Sequence, residues 1–257
     1  MAYTLAMHPN RKPLIAANWK MNDPPVGCYT SDSPFRSLPG VDVWVFLPFI
    51  EWYGAHNAGL VYGAQCGRPE PQGAFTGDIS MLMLKHQHFH AVLCGHSDRR
   101  HFHQESDAFI AEQATAALEV GLIPIVCIGE TEAEHDAGKT TDVLKRQLKP
   151  VIDVLTAHHS LPTTHFILAY EPVWAISRGD PNKPAATAKD AQDIHARIRS
   201  LLPKDRQATT RILYGGSMKG SNAAELLAQP DIDGGLVGGA SLKLEDFRKI
   251  VEAAESR

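Results

Sequence analysis

Short apolar runs without helical periodicity recur along the chain, and polar or Gly/Pro-rich segments separate them. Residues 14–17, 41–47, 60–64, 91–95, 123–128, 167–170, 211–214 and 234–237 have the length and continuity of strands buried on both faces of a parallel sheet. Between them the period changes to that of helices. Residues 187–202 place Ala188, Ala191, Ile194, Ile198 and Leu201 on one face, with Pro203 just past the end. Ser106 is a helix N-cap candidate for a run through Val120 that Gly121 ends. Residues 79–88, 222–228 and 244–254 also turn as helices, and 48–58 carries a short one. A long helix over 133–156 is expected to break at Gly138 and Pro150. The segment 22–40, with Asp23-Pro24-Pro25, Ser33-Pro34 and Pro39-Gly40, reads as loop with at most a broken turn. Strands alternating with mostly helical connections give an α/β chain whose architecture is a (β/α)₈ barrel, one domain over residues 1–257.

Composition narrows the classes of function. A hydrophobic share of 44% in 257 residues supports one large core. A net charge of −4 provides neither a basic footprint for nucleic acid nor a polybasic membrane anchor. No stretch approaches the length of a membrane span, and the first residues lack a signal-peptide apolar region. Cys28, Cys66, Cys94 and Cys127 form no CxxC pair, which suits a reducing cytoplasm. Cys127 reads as a core residue.

The chemistry centres on residues 167–179, ILAYEPVWAISRG. Glu171 ends a buried strand, and Pro172 holds it extended at the junction with an unusually apolar loop whose far joint is Gly179. In a parallel barrel the carboxyl ends of the strands share one face, so Lys20, His96, Glu171, Ser217, Gly238 and Gly239 should converge. A buried carboxylate can take a carbon-bound proton, an imidazole and an ammonium can stabilise the resulting enediolate oxygen, and glycine-rich turns can offer amides to a phosphate. Each residue also has a plainer reading: Glu171 as a structural ion-pair acid, His96 as a satisfied core histidine, Lys20 as a solvated cation. His86, His88 and His90 could align on one side of a strand as metal ligands, but nothing supplies a convergent fourth ligand, and no metal is expected.

Asn18-Trp19-Lys20, residues 73–77, 95–100, 127–130, 169–176, 214–217 and 236–242 resemble, in order, the motifs of the triosephosphate isomerase family. The resemblance covers nearly the whole chain and implies a TIM barrel that interconverts dihydroxyacetone phosphate and glyceraldehyde 3-phosphate without metal or organic cofactor. It implies that Glu171 is the base, His96 the neutral electrophile and Lys20 the electrostatic partner, with Asn18 beside it. Ser217, Gly238, Gly239 and the amide of Ser177 would bind phosphate, with Ser97, Asp98 and Thr76 in support. It further implies a homodimer, with Phe75 and Thr76 at the contact. A tetrulose-phosphate isomerase and a phosphate-binding barrel with little turnover are the alternatives. Asp98 stands where the family has Glu, and its shorter reach is expected to slow the reaction if it orients Lys20. Ser177-Arg178-Gly179 replaces Gly-Thr-Gly, residues 180–184 look inserted, and the crossover 22–40 looks shorter and less helical than the family's.

Overall fold

The computed structural model describes residues 11–157, 165–176 and 186–257. Eight parallel strands close a barrel in chain order: β1 (Leu14–Asn18), β2 (Asp42–Leu47), β3 (Tyr62–Ala64), β4 (Ala91–Cys94), β5 (Ile123–Ile128), β6 (Ile167–Tyr170), β7 (Ile212–Tyr214) and β8 (Gly234–Val237). β1 closes the ring by pairing with both β2 and β8, Leu14 standing opposite Asp42 and Gly234. Gly234 makes that closure possible. Its φ of +143° lies in the region that favours glycine, and a Cβ there would strike the Leu14 carbonyl oxygen.

Alternation along each strand divides the core into two layers. Leu14, Ala16, Phe46, Leu93, Ile125, Cys127, Ile167, Ala169 and Leu213 fill the barrel interior. Their neighbours Ile15, Ala17, Val43, Val45, Val126, Leu168, Tyr170, Ile212 and Tyr214 face outward under the helices. Both faces of every strand are therefore apolar, which is why the strands read as continuous runs. Asn18 and Glu171 continue the inward set, so the same alternation aims both at the carboxyl-end mouth of the barrel.

Apart from α3 and α8, which the pattern does not predict, the helices lie near their expected places: α1 (Trp52–Asn57), α2 (Met81–His86), α3 (Ser97–Phe102), α4 (Asp107–Glu119), α5 (Glu132–Asp136), α6 (Thr140–Ala157), α7 (Ala188–Leu201), α8 (Lys204–Gln207), α9 (Ala223–Leu227) and α10 (Leu244–Glu255). Ser106 caps α4 by accepting from the Phe109 amide, and Gly121 follows the helix with φ +74°. Gly138, at φ +67°, separates α5 from α6 as expected. Pro150 does not break the helix. It lies inside α6. An interior proline costs a helix about 3 kcal/mol. The buried side chains of Leu144, Leu148 and Val151 on the same helix each return about 1.5–3 kcal/mol, so packing outweighs the lost bond.

The crossover 22–40 contains turns and no regular helix. Aromatic packing does a helix's work there. Phe35 is fully buried, stands edge-on to Trp19 at 5.3 Å and stacks on Phe247 of α10 at 4.6 Å. The three histidines 86, 88 and 90 do not share a strand face. His86 ends α2, His88 has a left-handed φ of 61° and stacks on His56, and His90 stands edge-on to Trp44. Among the described residues no helix is long and apolar enough to cross a membrane.

Candidate active site

At the carboxyl ends of the strands, Asn18, Lys20, His96, Asp98, Glu171, Ser217, Gly238 and Gly239 line one cavity of about 720 Å³. Ser97 joins them through direct contact with Glu171. Thr76 does not reach the cavity, lying exposed in the loop after β3. Ser177 and the segment 180–184 lie outside the described residues.

Glu171 is 3% exposed, and its amide extends the β5–β6 ladder by donating to the Ile128 carbonyl. Its carboxylate accepts from the Ser97 amide at 2.8 Å, with the Ser97 hydroxyl at 3.4 Å. His96 Nε2 stands 3.1 Å from Glu171 Oε1. The hydrogen bond at the other ring nitrogen assigns the tautomer. Nδ1 accepts from the Asp98 amide at 3.1 Å at the start of α3, so it carries no proton. The imidazole is thereby neutral with its hydrogen on Nε2, directed into the cavity; a tautomer assigned from the hydrogen bonds.

Lys20 has a left-handed φ of 52°, uncommon for a residue with a side chain. Its backbone is clamped at both ends. The amide donates to Asn18 Oδ1 at 2.9 Å, and the carbonyl accepts from Gln65 Nε2 at 2.7 Å. Its ammonium meets Asp98 Oδ2 at 2.9 Å. The shorter aspartate thus still reaches the lysine. On the opposite side, Gly238 begins a 3₁₀ turn over Gly239–Leu242, the first amides of which have no partner within the turn. A Cβ at Gly239 would meet nothing within 4 Å, so the space above those amides is open.

Two contributions were not legible from residue type. Gly129 and Gly215 flank Glu171 so closely that a Cβ at Gly129 would strike its carbonyl oxygen and one at Gly215 would stand 2.8 Å from its Cγ. The stem of the following loop is also anchored. Trp174 Nε1 donates to Glu130 Oε1 at 2.8 Å, Tyr170 Oη donates to the same carboxylate at 3.0 Å, and His135 stacks on the Trp174 ring. Glu130 is fully buried, and burial together with its charge drives the Tyr170 phenol well above its usual range. Ser217 Oγ donates to the Ala175 carbonyl at 3.0 Å, tying the loop after β7 to the same stem. Cys127, behind the site, is an inert core thiol. Burial, then the nearby Glu171 charge, raises it far above the usual thiol range.

A sequence model of the triosephosphate isomerase family matches residues 13–254. The chain is 45% identical over 262 residues to a triosephosphate isomerase of Paracidovorax citrulli, a match spanning 95% of this chain and 99% of that protein. It is 44% identical over 258 residues to that of Delftia acidovorans, across 95% and 100% of the two chains. It is 42% identical to that of Histophilus somni strain 129Pt, across 95% and 97%. With a closed eightfold barrel and a cavity lined by Lys20, His96 and Glu171, the chain belongs to the triosephosphate isomerase family.

Proposed function

We propose that this enzyme interconverts dihydroxyacetone phosphate and glyceraldehyde 3-phosphate through an enediolate, with roles that the family resemblance implies and the cavity's geometry supports. Ser217, Gly238 and Gly239, together with the Ser177 amide, hold the phosphate. That anchor places the substrate's carbonyl and hydroxyl carbons between Glu171 and His96. Glu171, released from the Ser97 amide, takes a proton from the carbon next to the carbonyl. His96 Nε2–H donates to the oxygen that becomes negative, and the Lys20 ammonium, steered by Asp98 and flanked by Asn18, adds positive potential there. His96 gives its Nε2 proton to that oxygen and takes the hydroxyl proton of the neighbouring oxygen in its place. Glu171 returns its proton to the adjacent carbon as the new carbonyl forms, which completes the isomerisation. Only protons move between atoms of one substrate, so the chemistry calls for neither metal nor organic cofactor.

The observation that carries the reading is the hydrogen bond from the Asp98 amide to His96 Nδ1. An imidazole whose Nδ1 is committed to the Asp98 amide presents a fixed N–H, 3.1 Å from the candidate base, in a cavity that also holds an ammonium and an amide-lined turn. The test is a coupled assay of glyceraldehyde 3-phosphate isomerisation by the purified chain, repeated with a tetrulose phosphate. Rapid turnover of the triose supports the reading. Preference for the tetrulose would reassign the substrate, and turnover of neither with retained phosphate binding would make the barrel a binding protein.

We infer further that the working form is a cytoplasmic homodimer. Free thiols at all four cysteines suit a reducing compartment. Met21 is 95% exposed, Ile50 83% and Phe102 68%, and Phe75 projects from the loop after β3 with the Arg68 guanidinium 3.7 Å from its ring centroid. Arg68 is held by Asp78 at 3.0 Å, which presets that loop for docking. Chromatography with light scattering should return twice the 28.1 kDa chain mass. A fully active monomer would remove the contact role assigned to Phe75 and Thr76.

A further inference from the structure

We propose that His195 is a positioning residue for this site: its imidazole, wedged between Tyr170 and Tyr214, sets the spacing between the strand end that carries Glu171 and the loop that starts at Gly215. His195 lies on α7, fully buried, with ring centroids 5.8 Å from Tyr170 in an edge-on arrangement and 6.2 Å from Tyr214. Those tyrosines are partners in the β6–β7 register, and the residues that follow them are Glu171 and Gly215. Gly215 N donates to the Tyr170 carbonyl at 2.7 Å, so the two strand ends are already linked on the barrel side. His195 braces the same pair from the helix side.

The two tyrosines are held by different partners. Tyr170 is pinned at its hydroxyl by Glu130, whereas the Tyr214 hydroxyl lies near the Ala186 backbone and against Gly216, where a Cβ would overlap it. Tyr214 therefore holds Gly216 up from beneath, and His195 holds Tyr214 in place. Without the imidazole, Tyr214 can settle towards α7, and Gly216 and Ser217 lose their support.

The ring is suited to the task in its neutral form. His195 Nδ1 stands 3.2 Å from the Asp231 carbonyl, which can only accept, so Nδ1 bears the proton. Nε2 has no hydrogen-bond partner among the described residues. Burial lowers its pKa to about 4, with the Asp231 carbonyl opposing and the Arg199 charge reinforcing that shift.

The inference rests on the phosphate reading of the Gly215–Ser217 loop, which inhibition of the wild-type enzyme by inorganic phosphate checks on its own. His195→Asn keeps a donor for Asp231 and drops the ring; His195→Phe keeps a ring and drops the donor. At a temperature where both remain folded, His195→Asn should weaken phosphate inhibition and raise KM by roughly fivefold or more, because small displacements of positioning groups are amplified in the site. His195→Phe should stay within about twofold of wild type in both constants, whatever its melting temperature. A folded His195→Asn enzyme with unchanged phosphate affinity would overturn the proposal, as would equal losses in the two variants. Should the Asn variant not fold, ¹⁵N-histidine spectra of the wild type decide. The Nδ1–H tautomer distinguishes His195 from His96, and its Nε2 signal should shift when inorganic phosphate saturates the site; an unmoved signal overturns the brace.

Discussion

Glu171→Gln is expected to lower kcat by roughly a thousandfold, within the range that removal of a general base typically costs, while inorganic phosphate inhibits as well as before. Glutamine fills the same volume between Gly129 and Gly215 and can still accept from the Ser97 amide, so the architecture survives. What it lacks is basicity. In the function proposed above, phosphate affinity belongs to Ser217, Gly238 and Gly239, which line the same cavity and are untouched by the substitution. Glu171→Asp asks a different question. It retains the base and withdraws it by about 1.5 Å, one carbon–carbon bond, and a misplacement near 1 Å can cost on the order of a hundredfold. Both variants should therefore separate kcat from the phosphate inhibition constant. Equal losses in the two constants would make Glu171 a structural residue and remove it from the mechanism.

The strands were legible because each is buried on both faces, which leaves an unbroken apolar run, and the order of runs already implied the barrel. Convergence of Lys20, His96 and Glu171 followed from topology alone. Their orientation did not. The His96 tautomer depends on an amide two residues along its own chain, and the left-handed Lys20 depends on Asn18 and Gln65; neither arrangement leaves a periodic signal. At Gly129 the requirement is the passage of the Glu171 backbone, set by a partner more than forty positions away. Pro150 shows the converse. A local rule against proline in helices lost to tertiary packing that the local sequence does not display. Asp98 stood out as a shortened acid, and only the coordinates show that it reaches Lys20 at 2.9 Å.

At the opposite end of the barrel, Asp233→Ala should destabilise the fold by about 3–5 kcal/mol, the cost typical of breaking one side of a buried ion pair. Asp233 is 1% exposed and accepts from Arg11 Nε at 2.8 Å, Arg199 Nη2 at 2.6 Å and the Ile212 amide at 3.0 Å. It thereby joins the segment before β1, helix α7 and strand β7 at the residue preceding β8. Truncation would leave two guanidinium groups, whose side chains are only 7% and 11% exposed, short of a counter-charge. Arg199 would keep Asp231, at 2.6 Å, and the carbonyls of Gln207 and Thr210; Arg11 would keep only the Pro230 carbonyl among the described contacts. The loss should therefore fall mainly on the Arg11 end, and Arg11→Met combined with Asp233→Ala should recover part of it by removing the stranded charge. Because the active-site cavity lies at the other ends of the strands, kcat below the transition should stay near wild type. Urea unfolding at a fixed protein concentration measures both effects, since an oligomer's stability varies with concentration. A change under 1 kcal/mol in Asp233→Ala would mean that desolvation of the three charged groups nearly cancels their attraction, and that the amide of Ile212 finds another acceptor.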